Sequence, residues 1–130
     1  MIVVDASVLA TAIGDDGSDG ERARARLVEA RLIAPELLDL EVVSVWRRAV
    51  RAGRMSEMRG SQALADLAAL PLARAPHAPL MPRIWELRDN LTVYDAAYVA
   101  LAEALGAPLL TADRKLTQAT GTRCEFALVT

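Results

Sequence analysis

The chain encodes an α/β domain with a mostly parallel sheet covered by helices on both faces. Short runs that are apolar throughout, such as Ile2-Val3-Val4 and Leu109-Leu110-Thr111, have the composition of strands buried on both sides. Between such runs lie segments with apolar residues at helical spacing, clearest in Leu38, Val42, Val45, Trp46 and Ala49. Strand and helix alternate from one end to the other, which favours parallel neighbours joined by helical crossovers. At 130 residues, the chain fits one domain, residues 1–130, over a single core.

The elements follow in order. Residues 2–5 form a β-branched strand and 6–13 a helix, ended by a Gly- and Asp-rich loop from Gly14 to Gly20. A helix over 21–30 carries Ala23, Leu27 and Ala30 on one face and solvates Arg22, Arg24, Arg26 and Arg31. Leu32-Ile33-Ala34 is a second strand, and Pro35 suits the first turn of a helix over 36–52 that Gly53 stops. Ser56 caps a helix over 56–69, and Leu70 to Arg74 makes a short edge strand. Ala75-Pro76-His77-Ala78-Pro79 is a turn, followed by a helix over 80–88. The strongest helix runs from Val93 to Leu105 and closes at Gly106. Leu109 to Thr111 is a strand, 113–119 a short helix and 126–129 a final strand. No internal repeat or low-complexity tract interrupts the pattern.

Composition narrows the function. The chain is 53% hydrophobic and 25% charged, as ordinary soluble proteins are. Its net charge of −2 and pI of about 5.4 supply no global basic field for nucleic acid. An enzyme that holds such a substrate through metals and a local patch remains open. Lys115 is the only lysine; the other cations are arginines, which suits phosphate recognition and a GC-rich genome equally. A lone cysteine, Cys124, excludes an intramolecular disulfide and a multi-cysteine zinc site. No apolar stretch is long enough to span a bilayer, and Met-Ile-Val-Val-Asp reads as a strand rather than a signal peptide. A cytoplasmic protein without membrane contact is the expectation.

Four acids occupy equivalent places. Asp5 and Asp113 follow strands, while Glu41 and Asp95 lie in the early turns of helices. In a parallel sheet these positions share one edge, where such folds place ligands. Each has a plainer explanation. Asp5 and Asp113 suit helix N-caps, and Asp95 stands three residues after Thr92 at capping-box spacing. Glu41 lies among Leu37, Leu38, Leu40, Val42 and Val43, where an unpaired carboxylate is costly. Four carboxylates on one edge would repel one another without a cation. Mg²⁺ and Mn²⁺ prefer hard oxygen ligands, and a pair of such ions can activate water and stabilise both oxygens of a phosphodiester displacement. That chemistry needs no histidine or serine nucleophile. The only histidine, His77, lies in the proline-rich turn.

Ser7 and Thr111 place hydroxyls near the same edge. They are accessory candidates for a metal-associated water or a phosphate oxygen, with local hydrogen bonding to the following helix as the alternative. The Gly14–Gly20 loop lacks the Gly-Lys-Ser/Thr of a P-loop and the Asp spacing of a calcium loop. Arg47, Arg48, Arg51 and Arg54 read as a solvated helix face ahead of a phosphate-facing strip, and Trp46 and Trp85 as core or interface residues.

Four blocks carry a resemblance: Val4-Asp5-Ala6-Ser7-Val8-Leu9; Ala34 to Val43, containing Glu41; Leu91 to Ala102, containing Asp95; and Leu110-Thr111-Ala112-Asp113-Arg114-Lys115-Leu116. In order and with an acid in each, they resemble the PIN-domain ribonucleases, and more narrowly the VapC toxins of toxin–antitoxin pairs. The resemblance runs nearly end to end. It implies a three-layer α/β/α fold and Mg²⁺- or Mn²⁺-dependent hydrolysis of RNA that leaves 5′-phosphate and 3′-hydroxyl ends. Asp5, Glu41, Asp95 and Asp113 take the metal-binding and catalytic roles, with Ser7 and Thr111 as accessory groups. A VapB-type antitoxin that pushes a basic side chain into the acidic site is an implied partner, and so is a second copy in a homodimer. Some relatives carry a further acid about three residues beyond the last Asp; here that position is Leu116.

Other classes compete. A noncatalytic interaction module on the same fold would usually have lost one of the acids, and all four are present. A receiver-like phosphoacceptor wants adjacent acids near the first strand, and Asp5 has no acidic neighbour. A phosphatase with Asp-x-Asp after that strand is disfavoured by Ser7.

Overall fold

The computed structural model describes residues 1–130. Five strands form one sheet: β1 (Ile2–Val4), β2 (Leu32–Pro35), β3 (Leu72–Ala75), β4 (Leu109–Thr111) and β5 (Phe126–Leu128). Their order is β3-β2-β1-β4-β5, and every pairing is parallel. Seven α-helices flank them: α1 (Ala6–Gly14), α2 (Ser18–Leu27), α3 (Leu38–Arg51), α4 (Glu57–Ala69), α5 (Met81–Glu86), α6 (Val93–Leu105) and α7 (Arg114–Thr117). The expected three-layer α/β/α arrangement is therefore present.

Central position explains the apolar strands. β1 lies between β2 and β4, with Val3 opposite Ile33 on one side and Leu109 on the other. Val3, Val4, Leu109 and Leu110 have no solvent exposure. Helix α6 packs against β1, β2 and β4 and buries seven consecutive residues from Ala96 to Ala102. Such all-round burial accounts for its strongly apolar sequence. Thr92 caps this helix and Gly106, at φ +62°, closes it in the left-handed conformation that glycine adopts without strain. Arg83 of α5 donates to both carboxylate oxygens of Glu103, fixing α5 to α6.

Helix α1 contacts α2, α3 and α4. Gly20 permits the α1–α2 approach, because a Cβ there would stand 1.8 Å from the Asp15 carbonyl oxygen. Trp46 is buried and its indole N–H donates to the Ala10 carbonyl, which settles its core role.

Several boundaries differ from the sequence reading, three of them most informatively. Pro35 ends β2 instead of opening a helix. Glu36 N–H bonds to Ala75 on β3, so strand alternation turns the missing donor of Pro35 away from that neighbour. The loop expected over Gly14–Gly20 is shorter, since α2 starts at Ser18. There Asp15 Oδ1 accepts from the Gly17 N–H and turns the chain within a few residues. The helix expected over 80–88 is a 3-10 turn, Ala78–Leu80, followed by α5. Finally, Trp85 belongs to no core, being 64% exposed.

Candidate functional site

The strand order reverses at β1. The chain leaves β1 toward β2 and β3, then crosses back to β4 on the other side. Connections diverge at this switch point and leave a crevice at the carboxyl ends of the strands. Asp5 directly follows β1, and Asp113 stands two residues beyond the end of β4. Glu41 and Asp95 enter from the first turns of α3 and α6. All four acids line one cavity of about 310 Å³, together with Ala6, Ser7, Ser44, Val45 and Arg48.

Asp5 is the buried member, at 8% exposure. It stands at the N-cap position of α1 without making a side-chain cap bond. Its Oδ2 instead accepts from Thr111 Oγ1 at 2.8 Å and from Ser7 Oγ at 3.2 Å. The two accessory candidates thus hold the carboxylate, a use of their hydroxyls that neither sequence alternative contained. Burial pushes the Asp5 carboxyl above its ordinary range, with the Thr111 and Ser7 hydrogen bonds opposing.

Glu41 accepts from the Tyr98 hydroxyl at 2.7 Å. Burial raises its carboxyl; the Tyr98 bond opposes this, while the charges of Asp5 and Asp95 add to it. Asp95 is raised first by burial and then by the charges of Asp5 and Asp113. Its backbone N–H donates to Thr92 Oγ1, so the capping spacing is used by the backbone and the carboxylate still lines the cavity. Asp113 does cap α7, accepting from the Lys115 N–H at 2.9 Å. Cap and cavity wall coincide at that residue.

None of the four acids forms an ion pair. The salt bridges lie elsewhere, including that of Asp39, which engages Arg74 of β3 through two oxygens. No three His, Cys, Asp or Glu side chains stand close enough to make a ready-formed metal cage. The four carboxylates lining the cavity are hard oxygen donors of the kind that suits a divalent ion keeping several of its waters. Such an ion takes one or two carboxylates and draws further oxygens from a phosphate. Leu116, where some relatives carry another acid, is 3% exposed and belongs to the core.

A model of the PIN domain matches residues 2–121. The chain belongs to the PIN-domain family. Ribonuclease VapC1 of Mycobacterium tuberculosis is 45% identical to this PIN domain over 128 residues, covering 98% of this chain and 96% of that protein. VapC ribonuclease Mb0985 of Mycobacterium bovis is 42% identical over 129 residues, covering 99% and 98%. Among solved structures, Mycobacterium tuberculosis VapC20, a sarcin-ricin loop cleaving toxin, superposes with a TM-score of 0.70 at 17% identity, covering 95% of this chain and 97% of that one. VapBC2 of Rickettsia felis, bound to a promoter DNA fragment, gives 0.62 at 17% identity, covering 97% and 98%. At those identities the likeness is one of fold, and it agrees with the three-layer architecture.

One feature of this PIN domain escaped the sequence reading, and another stood there only as the second alternative. Tyr98 was hidden in the apolar run of α6. Arg48 reads as part of a solvated face, although it lines the acidic cavity with its guanidinium held by Ser44 Oγ at 2.9 Å. A signal existed for Arg48: Glu41, Ser44, Val45 and Arg48 recur at helical spacing on one face of α3.

Proposed function

We propose that this PIN domain is the ribonuclease toxin of a toxin–antitoxin pair, hydrolysing RNA with Mg²⁺ or Mn²⁺ held by Asp5, Glu41, Asp95 and Asp113. One observation carries the reading: four carboxylates without cationic partners line a single cavity at the switch point of a parallel sheet. Its full-length relatives bear the name ribonuclease, which supplies the reaction class.

Each residue has a distinct part. Asp5, fixed by Thr111 and Ser7, presents a carboxylate at the floor of the crevice. Glu41 and Asp95 add negative charge from two helices, and Asp113 completes the wall while holding the start of α7. A bound divalent ion would supply Lewis-acid polarisation of the phosphoryl oxygen and a more acidic water. Arg48 provides a cation at the rim, suited to an RNA phosphate beside the cleaved one. The acids hold and orient; the arginine registers the backbone.

A VapB-type antitoxin is the proposed regulator. A basic side chain entering the cavity would find carboxylates that form no internal ion pair, and complementarity of this kind gives fast, selective association. A homodimer acting in the cytoplasm completes the reading. No helix is long and apolar enough to cross a membrane.

The test is cleavage of RNA by purified protein with Mg²⁺ or Mn²⁺, alongside EDTA and Asp5→Asn. Cutting lost in both controls supports the proposal. Silence from folded, antitoxin-free protein across diverse cellular RNAs favours a noncatalytic module, and cutting that survives Asp5→Asn removes the acidic cavity from the reaction.

A further inference from the structure

Tyr98 is among the largest fully buried side chains, 1% exposed in the middle of α6. Its ring belongs to the core, but its hydroxyl donates to Glu41 Oε1 at 2.7 Å, 57 residues away on α3. It follows Asp95 by three positions, so one face of α6 carries both an acid of the cavity and the group that grips another acid. A buried phenol needs a hydrogen-bond partner, and core packing alone would have been served by phenylalanine.

The contact has a consequence for Glu41. That side chain is only partly buried and lines the cavity with Asp5, Asp95 and Asp113. Left free, a flexible glutamate facing three other carboxylates would turn toward water, where repulsion is screened. The Tyr98 hydroxyl holds it inward. Ser7 and Thr111 hold Asp5 in the same way, so neutral hydroxyls secure both acids. Hydroxyl donors suit that task, because they orient a carboxylate without neutralising it as an arginine would.

We propose that Tyr98 is a positioning residue that acts through Glu41, preassembling the acidic cavity for its cation by fixing the Glu41 carboxylate against the repulsion of its neighbours. The inference rests on the reading of Glu41 as a cation-holding acid. Outer groups of this kind typically govern metal affinity by about 10- to 100-fold.

Mn²⁺ binding followed by the electron paramagnetic resonance of the free ion provides the test, with Tyr98→Phe, Glu41→Gln and the double variant compared with wild type. Tyr98→Phe keeps the ring and removes only the hydroxyl; it should weaken Mn²⁺ binding by about 10-fold or more. The double variant should match Glu41→Gln alone, because a group acting only through Glu41 adds nothing once that carboxylate is gone. Glu41→Asp, too short to reach the same hydroxyl, should reproduce Tyr98→Phe and serves if the latter folds poorly. In Tyr98→Phe, cleavage titrated with Mn²⁺ should shift its midpoint and keep most of its plateau. Unchanged affinity in Tyr98→Phe beside a loss in Glu41→Gln overturns the role of Tyr98 alone. Additive losses in the double variant overturn it in favour of packing. Unchanged affinity in Glu41→Gln overturns the assignment of Glu41 itself, and the proposal with it.

Discussion

Thr111 Oγ1 donates to Asp5 Oδ2 at 2.8 Å, joining residues 106 positions apart across the β1–β4 pairing. Thr111 is fully buried, and its hydroxyl also accepts from the Asp113 N–H at 3.0 Å. One side chain therefore fixes the carboxylate that follows β1 and the turn that carries the acid after β4.

Thr111→Val keeps the shape and removes both bonds. Leaving a buried carboxylate without its main donor should cost about 1–3 kcal/mol in urea unfolding. Cleavage should fall by about 10- to 100-fold, the usual effect of losing a group that orients a metal ligand. Thr111→Ser, which retains the hydroxyl, should recover most of both. Equal activity in Val and Ser variants would sink the assignment.

Asp5, Glu41 and Asp95 all have raised carboxyls, which fixes the sign of a pH effect. The folded state binds these protons more tightly than the unfolded chain does. Their contribution to stability is thus fully present below the ordinary carboxyl values of 3.8 and 4.5 and is lost as pH rises through the folded values. Without divalent ions, melting temperature should carry this falling contribution above about pH 4. Asp5→Asn still offers a carbonyl oxygen to Ser7 and Thr111, so it should melt higher than wild type at pH 7 in EDTA. Millimolar Mn²⁺ should narrow or reverse that gap, because only wild type gains from the ion. A strongly destabilised apo Asp5→Asn would argue for a structural acid cluster.

Asp113 separates its two duties by substitution. Asparagine is a good N-cap and alanine a poor one. Asp113→Asn should hold the melting temperature near wild type and lose cleavage, whereas Asp113→Ala should lose cleavage and about 1 kcal/mol of stability. Comparable melting of the two variants would mean that the bond to Lys115 N–H contributes nothing.

For Arg48, the informative variable is salt. Arg48→Ala in a cleavage-dead background should weaken RNA binding and reduce the slope of log affinity against log salt by about 0.7, the release expected for one single-strand phosphate contact. Arg47→Ala, exposed on the same helix but absent from the cavity wall, is the control. Equal slopes for the two variants would remove Arg48 from the substrate path.

Much of this layout was legible in the chain because strand and helix signals are local. Ile2-Val3-Val4 and Leu109-Leu110 announce buried strands, and the acids that follow them inherit their position from parallel topology. What stayed hidden depends on contacts across the fold. Tyr98 looks like any other core residue until its hydroxyl is seen against Glu41. Arg48 shares a helix with solvated arginines, and only the packing of α3 decides which of them reaches the cavity. Pro35 shows two local preferences in conflict. Its ring favours the first turn of a helix, but it ends β2, where its missing donor faces away from β3.

The placement of β4 beside β1 also sets a schedule. During synthesis the first strand, its aspartate and the first helix leave the ribosome early, and Glu41 and Asp95 follow. Until residues 109–111 emerge, however, β1 has no neighbour on its second side, and Asp5 lacks the hydroxyl of Thr111. A nascent chain that stops short of Thr111 holds scattered acids and no complete crevice. The crevice is thereby completed only when nearly the whole chain has been made.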